Sequence, residues 1–272
     1  MKLAKSDLSR IALDALIAEC KTNPKLAEEK DVQIIINTGK NKLNATKDYI
    51  PRIIPLKNCK LNHPKDMRIL LITKDPSTLY RDSIEKDEYL RDVIKDVISV
   101  KHLKRKYKGA KINLLYKEFD LVVADYRVHH LLPKILGAKF FAGSKKLPFM
   151  IRLSKAVRVK HQQMVNECDC KYIRAQLKSI TKNAYYVPNK DNCLTVRIGQ
   201  VGRQSVDDML DNVVDIIQFL SDIKQKPQGG IIRGPVVSIF VKTASSASLP
   251  LYEADANSSA THNNEDSDNF EL

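Results

Sequence analysis

The 272-residue sequence predicts a two-domain chain of α/β and α+β class, in which both ends build one discontinuous α+β domain and the middle is inserted as an α/β domain. Three observations predict it. Short apolar runs alternate with helical stretches between residues 68 and 153, the pattern of a small parallel sheet. Each flank alone offers only a helix or two and two strands, too little to close a core. A composition of 43% hydrophobic residues with 9 glycines and 11 prolines is that of a globular chain.

Taken in order, Ser6 or Asp7 caps a helix whose Leu13, Leu16, Ile17 and Cys20 fall on one face, with Pro24 beyond its end. Val32–Ile36 reads as a strand, Asn37–Asp48 as a basic loop around Gly39, and Arg52–Leu56 as a returning strand that Pro55 confines to an edge. Within the middle, Arg68–Ile72, Ile112–Leu115, Leu121–Ala124 and Phe149–Leu153 are strand candidates, with helices near Ser77–Val97 and Val128–Leu136. Leu194–Ile198 then reads as a strand. Asp207–Ile223 reads as a helix started by Ser205 with Asp208, and Val236–Val241 as a last strand. The expected domains are 1–61 with 155–250, and 62–154. Residues 251–272, rich in Ser, Asn and acids, are expected to be a disordered acidic tail.

Charge is unevenly placed. The chain carries 46 Lys and Arg against 32 Asp and Glu, a net +14. Six of the acids lie from Glu253 onward with no Lys or Arg among them, so residues 1–252 hold 46 bases against 26 acids, a net +20. Such a body calls for a polyanion, and nucleic acid is the commonest inside a cell. No window approaches the ~20 apolar residues of a membrane span, and no secretory leader pattern opens the chain, so a soluble intracellular protein is expected.

The functional classes narrow further. No G-x-G-x-x-G follows a strand, and Gly137–Lys145 has the wrong spacing for a phosphate loop, so a Rossmann-like middle domain is expected to be a scaffold without a nucleotide. No serine sits in G-x-S-x-G, and none of the six histidines has metal-ligand spacing; enzyme, metal and cofactor are all unexpected. The adjacent His129 and His130 are read as one packed and one exposed. Five scattered cysteines without C-x-x-C, including Cys168 and Cys170, are read as structural thiols in a reducing compartment. The basic run Lys101, Lys104, Arg105, Lys106 and Lys108 is a nuclear-localisation signal, an RNA contact or a solvated connector between a helix and a strand. Lys139, Lys145, Lys146 and Arg152 form a secondary basic patch interleaved with Phe140 and Phe141, which are expected in the core. Lys224, Lys226, Arg233 and Lys242 cluster around the last strand.

The stretch Phe119-Asp120-Leu121-Val122-Val123-Ala124-Asp125-Tyr126-Arg127-Val128, then Leu132–Gly137, Lys139-Phe140-Phe141 and Lys145-Lys146-Leu147-Pro148, resembles the ribosomal L1 domain family in its eukaryotic ribosome-assembly branch. Ile53-Ile54-Pro55-Leu56 matches the family's strand ending in Ile-Pro-Leu, and the order of elements agrees from about residue 5 to 250. The resemblance implies a discontinuous RNA-binding domain with an inserted Rossmann-like domain. It implies that the last strand and the loop after it grip RNA, with Ser238 at the family's serine position. By that likeness the RNA-binding residues are Lys40, Lys42, Lys47, Ser238, Lys242, Thr243, Ser245 and Ser246, the basic loop and the strand end lying side by side. The turn here reads Ala244-Ser245-Ser246 in place of Thr-Met-Gly, Glu28 and Glu29 stand where an aromatic is expected, and Ala138–Ser144 replaces a Gly-Pro-Arg-Gly segment. A different or weaker RNA surface is therefore expected. The implied function is that of a non-catalytic, monomeric ribosome-biogenesis factor bound to precursor ribosomal RNA and pre-ribosomal proteins in the early, ninety-S small-subunit processome of the nucleolus. The alternative is a large-subunit ribosomal protein or large-subunit assembly factor of the same family.

Overall fold

The computed structural model describes residues 7–26, 28–39, 48–57, 60–142, 146–158, 164–189 and 191–254. The chain opens with α1 (Asp7–Thr22), β1 (Asp31–Thr38) and β2 (Arg52–Ile54). Next come β3 (Ile69–Thr73), α2 (Thr78–Lys86), α3 (Glu88–Val93), β4 (Ile94–Ser99), α4 (Val100–Lys106), α5 (Ile112–Glu118) and β5 (Leu121–Asp125). Short helices α6 (Tyr126–His129), α7 (Leu132–Leu136) and α8 (Ala138–Phe141) lead to β6 (Phe149–Ile151). After it run β7 (Ser154–Arg158), β8 (Met164–Cys168), α9 (Cys170–Lys182) and β9 (Ala184–Tyr186). The chain ends in β10 (Cys193–Gln200), α10 (Val206–Ser221), β11 (Val236–Lys242) and β12 (Leu249–Glu253). No described helix is long and apolar enough to cross a membrane.

Two compact units result. The flanking unit holds residues 1–45, 57–59 and 190–272, and the central unit 46–56 and 60–189. The entry into the central unit at 59/60 lies close to the expected 61/62, although 46–56 also belong to that unit, whereas the exit at 189/190 lies far beyond 154/155. The physical reason is that α9 is needed by the central sheet: Ile173, Leu177 and Ile180 fill the same core as Ile69, Leu71, Val123 and Phe149. β9 comes with it. It pairs antiparallel with β2, Ile53 opposite Tyr185, and the Tyr185 ring stands edge-on to Phe149 at 5.0 Å. The segment 52–54, expected to return along β1, therefore pairs with β9 in a separate two-stranded sheet.

In the central unit four parallel strands lie in the order β4-β3-β5-β6. Every residue of β3 and β5 is buried, as a strand covered on both faces requires. Alternation then sends Ile69 and Leu71 to the face under α2, α3 and α9, and Leu70 and Ile72 to the face under α4, α5, α7 and α8. Two expectations fail here. Ile112–Leu115 is the first turn of α5, with Leu115 buried and Asn113 and Leu114 exposed; a four-residue apolar run does not distinguish strand from helix. The helix expected over Ser77–Val97 breaks at Asp87, whose Oδ1 accepts from Leu90 N at 3.0 Å while Arg174 grips both carboxylate oxygens at 2.7 and 2.8 Å. Beyond α3 the chain becomes edge strand β4.

In the flanking unit the sheet order is β10-β1-β11-β12, all antiparallel, with α1 and α10 on one face. Val32, Ile34, Ile36, Leu194, Val196 and Ile198 are buried together with Leu13 and Leu16 of α1 and Met209, Val213, Ile216 and Leu220 of α10. Ser205 caps α10 in the expected capping box with Asp208. Gly199 permits the close approach of helix to strand, since a Cβ there would stand 2.9 Å from Met209 Cγ. β12 contradicts the tail expectation at its start: residues 249–253 pair with β11, and Ser9 Oγ donates to Leu251 O at 3.0 Å. Residues 255–272 lie outside the described part.

His129 is 5% exposed and His130 lies on the surface. The His129 Nε2 meets Pro148 O at 3.0 Å, and burial pushes its pKa below 6.5. A lowered histidine pKa stabilises the fold fully above 6.5 and progressively less as pH falls below it. Urea midpoints should therefore drop between pH 7 and 5 in the native chain and drop less in H129Q; an equal drop would refute this source. Replacing Ser205 by Ala should cost about 1 kcal/mol in the same assay, the usual worth of an N-cap.

Candidate nucleic-acid interface

Antiparallel register decides which side chains share the outward face of the flanking sheet, because residues directly opposite one another point the same way. β1 alternates buried residues with Gln33, Ile35 and Asn37, which face away from α1 and α10. Their partners form three rungs: Arg197–Gln33–Lys242, Thr195–Ile35–Phe240 and Cys193–Asn37–Ser238. One end of the face thus carries two cations, the middle a half-exposed aromatic ring, and the other end a polar pair in which Asn37 Nδ2 donates to Ser238 Oγ at 3.0 Å. Arg197 is steadied by Asp31, at 3.2 Å. The first and last rungs are four residues apart, about 13 Å.

This register separates two groups expected to lie together. Thr38, from which the chain enters 40–47, pairs with Val236 at the start of β11, whereas Lys242 at its far end pairs with Gln33. The strand end and the start of the basic loop are at opposite ends of the sheet. Lys40, Lys42 and Lys47 themselves lie outside the described residues, as does Lys145.

The turn after β11 is closed on itself. Thr243 is fully buried, and its N–H donates to Ser246 Oγ at 2.9 Å; Ser246 in turn donates to Ala247 O at 3.0 Å. Ser245 gives both its N–H and its hydroxyl to the Glu29 carboxylate, at 2.7 and 2.5 Å. Glu29, where an aromatic was expected, thus occupies donors that a phosphate would otherwise meet. Of the residues implied by the resemblance, Lys242 is half-exposed on the outward face; Ser238, at the other end of that face, is buried beside Asn37, and Thr243 and Ser246 are buried in the turn.

Two residues of the secondary patch stand over one ring: Lys139 and Lys146 lie 4.9 and 4.4 Å from the centre of Tyr116. Lys146 precedes β6 and also donates to Tyr116 O at 2.6 Å and Phe119 O at 3.2 Å. Arg152 follows β6 at the opposite end of the parallel sheet, 5.6 Å from the Tyr126 ring. Phe140 is fully buried, as expected of core. The run 101–108 belongs to α4 and the turn beyond it rather than to a connector before a strand, with Leu103 and Tyr107 buried.

Cys168 and Cys170 pack against the central core, and burial drives the Cys168 thiol up to about 12, so it stays protonated. Among the described residues no group of three His, Cys, Asp or Glu could hold a metal ion. Sequence reasoning missed Gln33, Asn37, Arg197 and Phe240. The alternation within Val32–Ile36 carried the signal for Gln33, but the cross-strand partners follow only from register. If the Glu29 clamp holds in solution, E29A should speed hydrogen exchange at the Ser245 amide by at least ~10-fold while β11 stays protected. Unchanged exchange would mean that the clamp does not form.

Comparison with known proteins agrees with this architecture. The model of the ribosomal protein L1p/L10e family matches residues 16–247. The chain is 57% identical over 251 residues to the ribosome biogenesis protein UTP30 of Saccharomyces cerevisiae, covering 92% of this chain and 91% of that protein. A Schizosaccharomyces pombe protein named for ribosome biogenesis is 29% identical over 75% of this chain and 49% of its own length. The proteasome-interacting protein CIC1 of S. cerevisiae is 24% identical over 82% of this chain and 58% of its own. With most of its length matched by the family model, the chain belongs to the ribosomal protein L1p/L10e family.

Proposed function

We propose that this protein is a non-catalytic ribosome-assembly factor that binds precursor ribosomal RNA through the outward face of its flanking sheet. The observation that carries the reading is the 57% identity, across nine-tenths of both chains, to a protein named for ribosome biogenesis. The face described above supports it chemically. Lys242 and Arg197 supply phosphate contacts, Phe240 a ring on which an unpaired base can stack, and Asn37 with Gln33 hydrogen-bonding groups for base edges or 2′-hydroxyls. The net +20 of residues 1–252 supplies the long-range attraction.

The RNA path runs along the three rungs, from the Asn37–Ser238 end, near which the chain enters the segment holding Lys40, Lys42 and Lys47, towards Lys242. Because Glu29 engages Ser245, the turn after β11 contributes shape rather than hydrogen bonds. The central unit, a Rossmann-like scaffold in this reading, carries the protein contacts. The factor works as a monomer among pre-ribosomal proteins in the early, ninety-S small-subunit processome of the nucleolus, without a cofactor.

Affinity for structured RNA should fall steeply with salt, each phosphate contact adding about 0.7 to 0.9 to the slope of log affinity against log salt. R197A/K242A should flatten that slope by roughly 1.5 and weaken binding about 10-fold or more, while K139A/R152A leaves both unchanged. F240L should weaken binding to unpaired RNA by about 1 to 3 kcal/mol without altering the slope. The reverse pattern, with the central-unit pair sensitive and the sheet-face pair not, would move the RNA site to the central unit.

A further inference from the structure

The basic run on α4 borders a groove that the RNA reading leaves unused. Its walls are Lys104 and Tyr107 of α4 and the residue after it, then Lys108, Gly109 and Ile112 leading into α5, and Leu131, Lys134 and Ile135 around α7. The volume is about 450 Å³, within the range of ligand sites. All of these residues lie in the central unit. The floor is apolar: Ile112, Leu131 and Ile135 are half-buried, and Tyr107 is 7% exposed. The rim consists of Lys104, Lys108 and Lys134, all exposed, and among the described residues no acid lines the groove.

This combination is selective about what can fill it. An apolar floor rewards insertion of aliphatic or aromatic side chains, about 25 cal/mol for each Å² removed from water. Three lysines, two of them four residues apart along and just beyond α4 and the third on α7, demand negative charge around those side chains. RNA fits poorly, because the floor is aliphatic and the Tyr107 ring is covered, leaving no flat face for a base to stack on. The rim also lacks arginine, whose planar fork grips phosphate on two oxygens.

We propose that this groove is a docking site for an acidic, amphipathic peptide segment of a partner protein, with two large apolar side chains three or four residues apart seated between Ile112, Leu131 and Ile135, and flanking carboxylates on Lys104, Lys108 and Lys134. The dense positive run of α4 is then one wall of a protein-binding site. Lys101, Arg105 and Lys106 add long-range attraction without lining the groove. The proposal does not depend on RNA binding to the flanking sheet.

The test is selection of a random 15-residue peptide library displayed on phage against the full chain, followed by binding of the enriched peptides to the native chain, to K104E/K108E/K134E and to I135S. The substituted lysines are exposed, and an unchanged urea midpoint verifies that the variants fold. Enriched sequences should converge on acidic segments with two apolar residues three or four apart. The charge-reversed variant should bind them at least tenfold more weakly and I135S, whose net charge is unchanged, several-fold more weakly, while I135S keeps native affinity for structured RNA. Three results would overturn the proposal: enriched peptides that bind the charge-reversed variant equally well, failure of any acidic sequence to enrich, or loss of RNA affinity in I135S.

Discussion

The register of β1 between β10 and β11 is the constraint on which the outward face depends. Val32, Ile34, Ile36 and Thr38 must be buried against α1 and α10, so Gln33, Ile35 and Asn37 must point away from them. A slip of one residue would exchange the two sets and bury Gln33 and Asn37 in an apolar core, which is why the register is so strongly specified. Once it is set, pairing brings Arg197, Thr195 and Cys193 from one side and Lys242, Phe240 and Ser238 from the other into line with no further choice. The same register puts the exit of β1 and the end of β11 at opposite ends of the sheet, so a polyanion meeting both must run the length of the face.

Much of the architecture was legible in the sequence where burial patterns are one-sided or complete. The α1 stripe of Leu13, Leu16 and Cys20, the all-buried β3 and β5, and the Ser205–Asp208 cap each have a local signature that tertiary context does not override. What was illegible depended on partners distant in sequence. β9 is three residues long and finds its strand partner at least 130 residues upstream in β2. β4 has Lys95 and Asp96 in its middle because it is an edge strand, and that polar interruption looks like helix surface. The division of the chain near residues 189 and 46 followed from α9 covering one face of the central sheet, a debt that an alternating pattern ending at 153 does not reveal.

The candidate site shows the same division. Lys242 and Ser238 were reached through family likeness; Lys242 is half-exposed on the outward face, and Ser238 is buried beneath Asn37, which donates to it. Thr243 and Ser246 turned out to be the inner framework of a turn, and Ser245 is engaged by Glu29. Glu29 is the informative departure, because a carboxylate at that place converts donors facing outward into a closed intramolecular clamp. The central unit has gone the other way. Lys146, which reads in sequence as one more surface cation, is spent on two backbone carbonyls, while Lys104, Lys108 and Lys134 rim an apolar groove that no described acidic residue lines.

The central claim is that RNA lies across the sheet face of the flanking unit. Ultraviolet crosslinking of the protein to precursor ribosomal RNA in purified particles, with the crosslinked peptides identified by mass spectrometry, reads the contact directly. The account requires crosslinks on peptides that contain Phe240 and Lys242 or Asn37 and the segment after it. Crosslinks confined to peptides within residues 60–189 would contradict it.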